Sequence, residues 1–292
     1  MPLAAAVAQK ITSSLGAIEI TRFIDNECRV YLKEDVIGKQ VFVLQSLSQI
    51  ADQNLVELCL IGQAAKTLGA KELVSVVPWM GYSKQDKEFR KGEAVSAQLV
   101  AKFIEVAGFD RIITIELHSE KVVPFFHIPV TELSTHGLLG SSLKRSHLFR
   151  LNGKTVVVSP DTGGKSRAQR FAKEGGLPVV YLEKHRDPAT GEVEVTSASE
   201  DVRDKDIVIF DDIINTGATA VKTSEFLKGH GARKILFLAT HAVLAGGASA
   251  MLASSQIDEI IVTDTIDIPP EKQFSKLRVM TVAPLLADAI SS

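Results

Sequence analysis

The run Val208-Ile209-Phe210-Asp211-Asp212-Ile213-Ile214-Asn215-Thr216-Gly217-Ala218-Thr219 constrains the fold more than any other stretch, because an apolar strand passes directly into two carboxylates and then into a small, hydroxyl-rich turn. A wholly apolar strand belongs in a sheet covered on both faces, and such a turn opens a helix. The same run predicts chemistry. Backbone N–H groups and the positive end of the helix dipole hold a phosphate at a helix start, Thr216 and Thr219 add hydroxyl donors, and Gly217 permits close approach. Asp211 and Asp212, at the carboxyl end of the strand, can accept bonds from ribose hydroxyls or act through a metal. An ordinary strand-to-helix turn with an acidic N-cap explains an isolated acid pair, but not the full run.

Short β-rich runs alternate with helical patterns elsewhere. Val41–Leu44 and Leu73–Val77 are expected strands, with Leu55, Leu58, Cys59 and Ala65 at helical spacing between them before the stop at Leu68 and Gly69. A helix is expected over Ala94–Ala107, ended by Gly108, then a strand over Ile112–Ile115. The pattern repeats with strands at Lys154–Val158, Val179–Leu182 and Ile207–Phe210, and helices over Ser166–Lys173 and up to Lys228. Gly231 to Phe237 echoes Gly108 to Thr114 in its helix stop, basic residue and buried strand. The expected fold class is α/β, with two similar domains, each a mostly parallel sheet flanked by helices. Ser, Gly, His and basic residues at 135–146 interrupt the strand pattern, giving domains at 1–140 and 141–275. The tail 276–292, strand-like then helix-like, is expected to pack back on the first domain.

A chain of 292 residues, 45% hydrophobic, can bury a large core. A net charge of −2 supplies no global basic field for nucleic acid, so anionic ligands must be met by local Lys and Arg. Cys28 and Cys59 form neither a disulfide framework nor a metal-ligand pattern. No apolar run reaches membrane-spanning length and no leader pattern is seen, so no membrane partner and a cytoplasmic setting are expected.

Four other stretches carry chemistry at expected strand ends, where open α/β sheets collect ligands. Asp161, Thr162, Gly163, Gly164, Lys165 and Arg167 follow a buried strand; the glycines let amides wrap a diphosphate, Lys165 or Arg167 offsets its charge, and Asp161 is a candidate Mg²⁺ ligand. A Gly-rich turn starting a helix gives the same pattern. His118 lies just beyond another strand, either packed structurally or serving as a metal ligand or phosphate donor. Lys84, Gln85 and Asp86, beside Tyr82, suit a nucleotide or a merely solvated charged loop that continues through Glu88, Arg90, Lys91 and Glu93. Lys184 and Arg186, two residues apart before Pro188 and Gly191, suit a closing cationic lid or a solvated hairpin.

Together, and in order along nearly the whole chain, these residues resemble the ribose-phosphate diphosphokinases, or phosphoribosyl pyrophosphate (PRPP) synthetases, with a phosphoribosyltransferase-like fold. The resemblance adds Phe23, Asp25 and Glu27, which match a family stretch reaching adenine from a neighbouring subunit and so imply a homo-oligomer, at least a dimer. It matches Lys84, Gln85 and Asp86 to the nucleotide loop and His118 to a metal site that also meets ATP. It matches Asp161 to Arg167 to the diphosphate loop, Lys184 and Arg186 to the mobile catalytic pair, and Asp211 to Thr219 to the ribose-5-phosphate loop.

That similarity implies transfer of the β,γ-diphosphoryl group of MgATP to the C1 hydroxyl of ribose 5-phosphate, giving PRPP and AMP. Asn215, Thr216, Gly217, Ala218 and Thr219 would hold the 5-phosphate, Asp211 and Asp212 the ribose hydroxyls, and Mg²⁺ would lie near His118 and Asp161. Lys184 and Arg186 would stabilise charge on the transferring group. The sequence departs from the family at Lys84, where Arg is usual, and at Asn215, where Asp or Ser is common. The Glu183 to Arg186 and Lys91-Gly92-Glu93 segments resemble the archaeal-type branch. A non-catalytic regulatory homologue should lack the lid cations or metal residues. A phosphoribosyltransferase would share the Asp211 to Thr219 loop, but not the duplicated plan or the lid.

Overall fold

The computed structural model describes residues 2–145, 153–160, 163–186 and 193–292, with the backbone alone at 144, 184–186 and 193–194. The chain divides into two compact units, Met1–Ser134 with Val282–Ser292, and Thr135–Thr281.

The first unit begins with α1 (Pro2–Lys10) and an antiparallel hairpin of β1 (Ile18–Arg22) and β2 (Cys28–Leu32). There follow β3 (Gln40–Leu44), α2 (Ala51–Thr67), β4 (Glu72–Val77), α3 (Ser96–Val106), β5 (Arg111–Ile115) and β6 (Val130–Leu133). The last four strands form a parallel sheet in chain order, β3-β4-β5-β6. One face of this sheet is covered by apolar residues of α2 and α3, including Leu55, Leu58, Val100 and Ile104, packed with Leu73, Val77 and Ile112.

Asp110 fastens this unit below the sheet. Its carboxylate accepts bonds from Lys66 Nζ at 2.9 and 3.1 Å and from the Leu73 N–H at 2.8 Å, joining the end of α2 to the starts of β4 and β5. Burial pushes this carboxyl up, but the bonds from Lys66 and Leu73 and the ammonium charge together hold it below its ordinary value of 3.8. A depressed carboxyl stabilises the fold above its unfolded pKa, and that contribution disappears as pH falls through the folded value. Asp110→Asn is therefore expected to flatten the acid limb of the thermal-stability profile between roughly pH 5 and pH 2; parallel profiles for variant and parent would remove Asp110 from the acid response.

The second unit contains α4 (His136–Lys144), β7 (Thr155–Ser159), α5 (Lys165–Gly175), β8 (Val179–Arg186), β9 (Val193–Ala198) and β10 (Asp206–Ile214). It continues through α6 (Ala218–Gly229), β11 (Lys234–Ala242), α7 (Ala248–Ser254), β12 (Glu259–Thr263) and β13 (Leu277–Met280). Its sheet has the order β13-β12-β11-β10-β7-β8-β9, parallel except for the β8–β9 pair. Strand alternation divides its core. Val156, Val158, Ile207, Ile209 and Phe237 pack on one face, and Val157, Val208, Phe210, Leu236 and Leu238 pack on the other with Ala168, Phe171 and Ala172 of α5. Burial on both faces is why these strands read as continuous apolar runs. Gly108 and Gly231, at φ +97° and +86°, end α3 and α6 in the left-handed conformation that glycine adopts freely.

The division falls between Ser134 and Thr135 instead of at 140, because α4 packs with the second unit's core through Leu139 and Leu143. The tail also differs from expectation. Residues 277–280 do not return to the first unit but pair as β13 with β12, with Ile260 opposite Leu277 and Thr263 opposite Met280. Only the following helix, α8 (Ala283–Ser291), rejoins the first unit, where it packs on α1.

Candidate functional site

The second unit's strand order contains a topological switch. From β7 the chain proceeds to β8 on one side, whereas from β10 it proceeds through β11 and β12 on the other, so the connections leaving β7 and β10 diverge and open a crevice at the strands' carboxyl ends. Open α/β sheets bind ligands at such a point. The loop after β7 carries Gly163 and Gly164 as a turn before α5, and the loop after β10 carries Asn215, Thr216 and Gly217 before α6. Asp161 and Thr162 lie outside the described residues.

β10 pairs with β7 only as far as Ile209 opposite Val158, yet continues beside β11 to Ile214. Asp211 and Asp212 therefore lie on the part of β10 that extends past β7. Gly217 then turns the chain at φ +79°, and its missing Cβ is needed twice, since a methyl there would also stand 3.1 Å from Leu252 Cγ. The carbonyls of Ile214 and Asn215 accept the N–H groups of Val243, Leu244 and Ala245, which fastens the turn to the segment after β11. No side chain caps α6. Its first N–H groups have no partner within the helix, and Asn215, Thr216 and Thr219 are exposed beside them. A helix start of this kind suits a phosphate.

The structure brings together residues expected in two separate loops, one from α5 and two from the end of β10. Arg167, in the first turn of α5, donates from one guanidinium nitrogen to Asp211 Oδ1 at 3.3 Å and Asp212 Oδ1 at 2.9 Å. Sequence reasoning separated these residues into a diphosphate loop and a sugar loop. Lys184 and Arg186 fall within β8, opposite Val195 and Val193 of β9, with a shift in pairing between Glu183 and Lys184. Their side chains lie outside what is described, as does the loop bearing Pro188 and Gly191.

In the first unit, Phe23, Asp25 and Glu27 form the tip of the β1–β2 hairpin, all exposed. Asn26 at φ +72° makes the turn, and Asp25 Oδ1 accepts the Glu27 N–H at 3.2 Å, so Asp25 shapes the tip. Arg22 anchors it by donating to Glu57 Oε1 at 2.7 Å, Gln53 Oε1 at 3.3 Å and the Asn26 carbonyl at 3.1 Å. Ile24 beside Phe23 is fully exposed. The alternating Ile18, Ile20 and Val30, Leu32 with Asp25 and Asn26 between them carried a hairpin signal that sequence reasoning passed over.

Lys84, Gln85 and Asp86 follow β4, and His118 follows its neighbour β5, so both groups lie at the same edge of the first unit's sheet. Tyr82 stands at φ +65° and donates its hydroxyl to Asp52, which, with burial, raises its pKa. Gln85 braces the start of α3: its side-chain oxygen accepts Ser96 Oγ at 2.6 Å and its carbonyl accepts the Ala97 N–H at 3.2 Å. The charged stretch beyond is not simply solvated. Glu93 accepts the N–H groups of Phe89 and Arg90 at 3.2 and 3.0 Å, and a cavity of about 550 Å³ is lined by Gln85, Phe89, Arg90, Glu93 and Ala94. Phe89 and Arg90 had no distinguishing sequence signal. Ahead of His118, Glu116 adopts φ +40°, a conformation a side chain rarely takes. It is held by its N–H to the Leu133 carbonyl at 3.0 Å and by Ser134 Oγ to its Oε1 at 2.8 Å.

Among the described residues no three His, Cys, Asp or Glu side chains cluster as a metal cage. Mg²⁺ does not require one, since it usually keeps waters and substrate phosphates and takes only one or two protein carboxylates.

A family model described as the N-terminal domain of ribose phosphate pyrophosphokinase matches residues 1–108, and one described as a phosphoribosyl synthetase-associated domain matches residues 194–292. The ribose-phosphate pyrophosphokinase of Ralstonia nicotianae is 38% identical over 291 residues, covering 99% of this chain and 90% of the relative. That of Thermotoga maritima is 38% identical over 290 residues, with 99% and 90% covered. The crystal structure of phosphoribosylpyrophosphate synthetase from Mycobacterium smegmatis superposes with a TM-score of 0.92 at 34% identity, covering 99% of this chain and 94% of that one.

Proposed function

The chain belongs to the ribose-phosphate pyrophosphokinases, and from that premise we propose how its own residues divide the work. The enzyme transfers the β,γ-diphosphoryl group of ATP to the C1 hydroxyl of ribose 5-phosphate, producing PRPP and AMP. A purely regulatory role or a base-exchanging transferase is not favoured by relatives that match along nearly the whole chain.

The observation that carries the assignment is the acid pair running into an uncapped helix start beside the switch crevice of the second unit. Asn215, Thr216, Gly217, Ala218 and Thr219 bind the 5-phosphate through backbone N–H groups and hydroxyls. Asp211 and Asp212 accept bonds from the ribose hydroxyls and so orient C1 for attack. Gly163 and Gly164, with Asp161 and Thr162, receive the diphosphate. Lys84, Gln85 and Asp86 meet the nucleotide, and Phe23, Asp25 and Glu27 contribute to the adenine site of a neighbouring copy. Lys184 and Arg186 stabilise charge on the transferring group and departing AMP.

Mg²⁺ would enter with ATP as part of the substrate; Asp161 and His118 are the residues that would hold it, and it would supply neutralisation of phosphate charge. A homo-oligomer, at least a dimer, is supported by apolar residues left exposed on the first unit. Leu99, Phe103 and Val106 form an exposed stripe at helical spacing on α3, which packs on α2, where Val56 and Leu60 are also exposed, in the same unit as the exposed Phe23 and Ile24. A cytoplasmic setting is supported by two free cysteines, and no helix among the described residues is long and apolar enough to cross a membrane.

Purified protein with MgATP and ribose 5-phosphate should give AMP and PRPP, each dependent on both substrates, with products resolved chromatographically and by mass. ADP in place of AMP would overturn diphosphoryl transfer. Asp212→Ala should raise KM for ribose 5-phosphate by about 30-fold or more, the scale of removing a buried charged hydrogen-bond partner. Normal saturation by the sugar would remove Asp212 from its site.

A further inference from the structure

We infer that Arg167 is a positioning residue for the acid pair, not a ligand of the transferred diphosphate: it fixes the orientation in which Asp211 and Asp212 take ribose hydroxyls. This rests on the reading of those two acids as sugar ligands. The loop pattern alone gives Arg167 to the diphosphate, because it follows the glycines after β7. The geometry gives it another task.

Alternation along β10 sends Asp212 to the face bearing Val208 and Phe210, which α5 covers through Ala168, Phe171 and Ala172. The Phe171 and Phe210 rings stack at 4.2 Å with an interplanar angle of 7°, fixing α5 against the strand just before the acids. Arg167 stands one turn earlier on the same helix. Its side chain is 12% exposed, and those of Asp211 and Asp212 are 13% and 1% exposed. The Asp212 N–H also donates to Asp211 Oδ1 at 2.9 Å, so backbone and guanidinium act on the same carboxylate.

An incoming diphosphate would have to draw Arg167 out of a buried pairing with two carboxylates to use it. Removing one partner of such a pair leaves the other buried without compensation. A sugar hydroxyl makes no such demand. It requires acceptors held in place, and the single Arg167 nitrogen shared by Asp211 and Asp212 holds both.

The test uses Arg167→Met, Arg167→Lys, Asp212→Asn and the Arg167→Met, Asp212→Asn double variant of the full chain. Binding of ribose 5-phosphate without nucleotide is measured by calorimetry, and KM for each substrate by steady-state kinetics. Arg167→Met is expected to weaken sugar binding by about tenfold or more while KM for MgATP stays within about twofold. Arg167→Lys should recover part of the loss, keeping the charge on a differently shaped head group. The Arg167→Met change should cost less in the Asp212→Asn background than in the parent, since both act through one contact.

If Arg167→Met binds the sugar normally and instead raises KM for MgATP or lowers only kcat, Arg167 belongs to the diphosphate and the inference fails alone. If Asp212→Asn itself binds the sugar normally, the reading of the acid pair fails and takes the inference with it. Should the Met variant not fold, the Lys variant carries the same comparison: weakened sugar binding at unchanged KM for MgATP supports the inference, and intact sugar binding overturns it.

Discussion

Lys184→Ala is expected to lower kcat by about 10²- to 10³-fold while KM for ribose 5-phosphate stays within about threefold. The expectation rests on where charge develops. In diphosphoryl transfer the negative charge spreads over the moving group and the departing AMP, so a cation that closes on it acts mainly in the transition state. Losing such an interaction lowers kcat and kcat/KM together and leaves ground-state sugar binding intact. Lys184 lies in the arm where β8 pairs antiparallel with β9, two residues before Arg186. Steady-state kinetics with both substrates varied, on a variant with the parent's melting temperature, checks this, and an unchanged turnover number would dismiss the arm from catalysis.

Gly217→Val should act on the opposite side of the chemistry, raising KM for ribose 5-phosphate by about tenfold or more with KM for MgATP nearly unchanged. Two costs coincide at that position. A side chain at φ +79° costs about 1–2 kcal/mol, and even its Cβ would press on Leu252 of α7 at 3.1 Å. Relief by moving the turn would shift the first N–H groups of α6, which are the proposed phosphate donors. Parallel titrations of the two substrates decide the matter. A variant saturated by ribose 5-phosphate as readily as the parent would show that the turn can relax without moving the helix start.

The strands were legible because they are buried on both faces. Runs such as Leu73 to Val77, Ile112 to Ile115 and Val156 to Val158 leave no charged position to disguise them. The helix stops were legible at Gly108 and Gly231 because a left-handed residue after a helix favours glycine. The β1–β2 hairpin was less so, since its strands are mostly exposed or half-buried and half their positions are charged or polar. β13 was expected as a strand, but its partner was not, because pairing with β12 depends on the whole sheet and not on the segment.

The site divides in the same way. Asp211 to Thr219 could be read locally, as strand, acids, turn and helix follow one another in the chain. The contact of Arg167 with Asp211 and Asp212 spans 44 and 45 residues and exists only once α5 has packed on β10. The positive φ of Glu116 was also beyond local reading, because no propensity favours it and the bonds to Leu133 and Ser134 that hold it come from the far end of β6.

The pairing of α1 with α8 sets an order of events during synthesis. α1 leaves the ribosome before every other element described, and α8 leaves after all of them, with the entire second unit between. Leu3, Val7 and Ala8 of α1 and Ala283, Leu286 and Ala287 of α8 are buried in the finished fold. The sheet of the first unit can assemble early from β3 to β6, but this helix pair must await α8. A chain arrested within the second unit thus carries α1 without its partner, so the first unit is closed only after the second has been made.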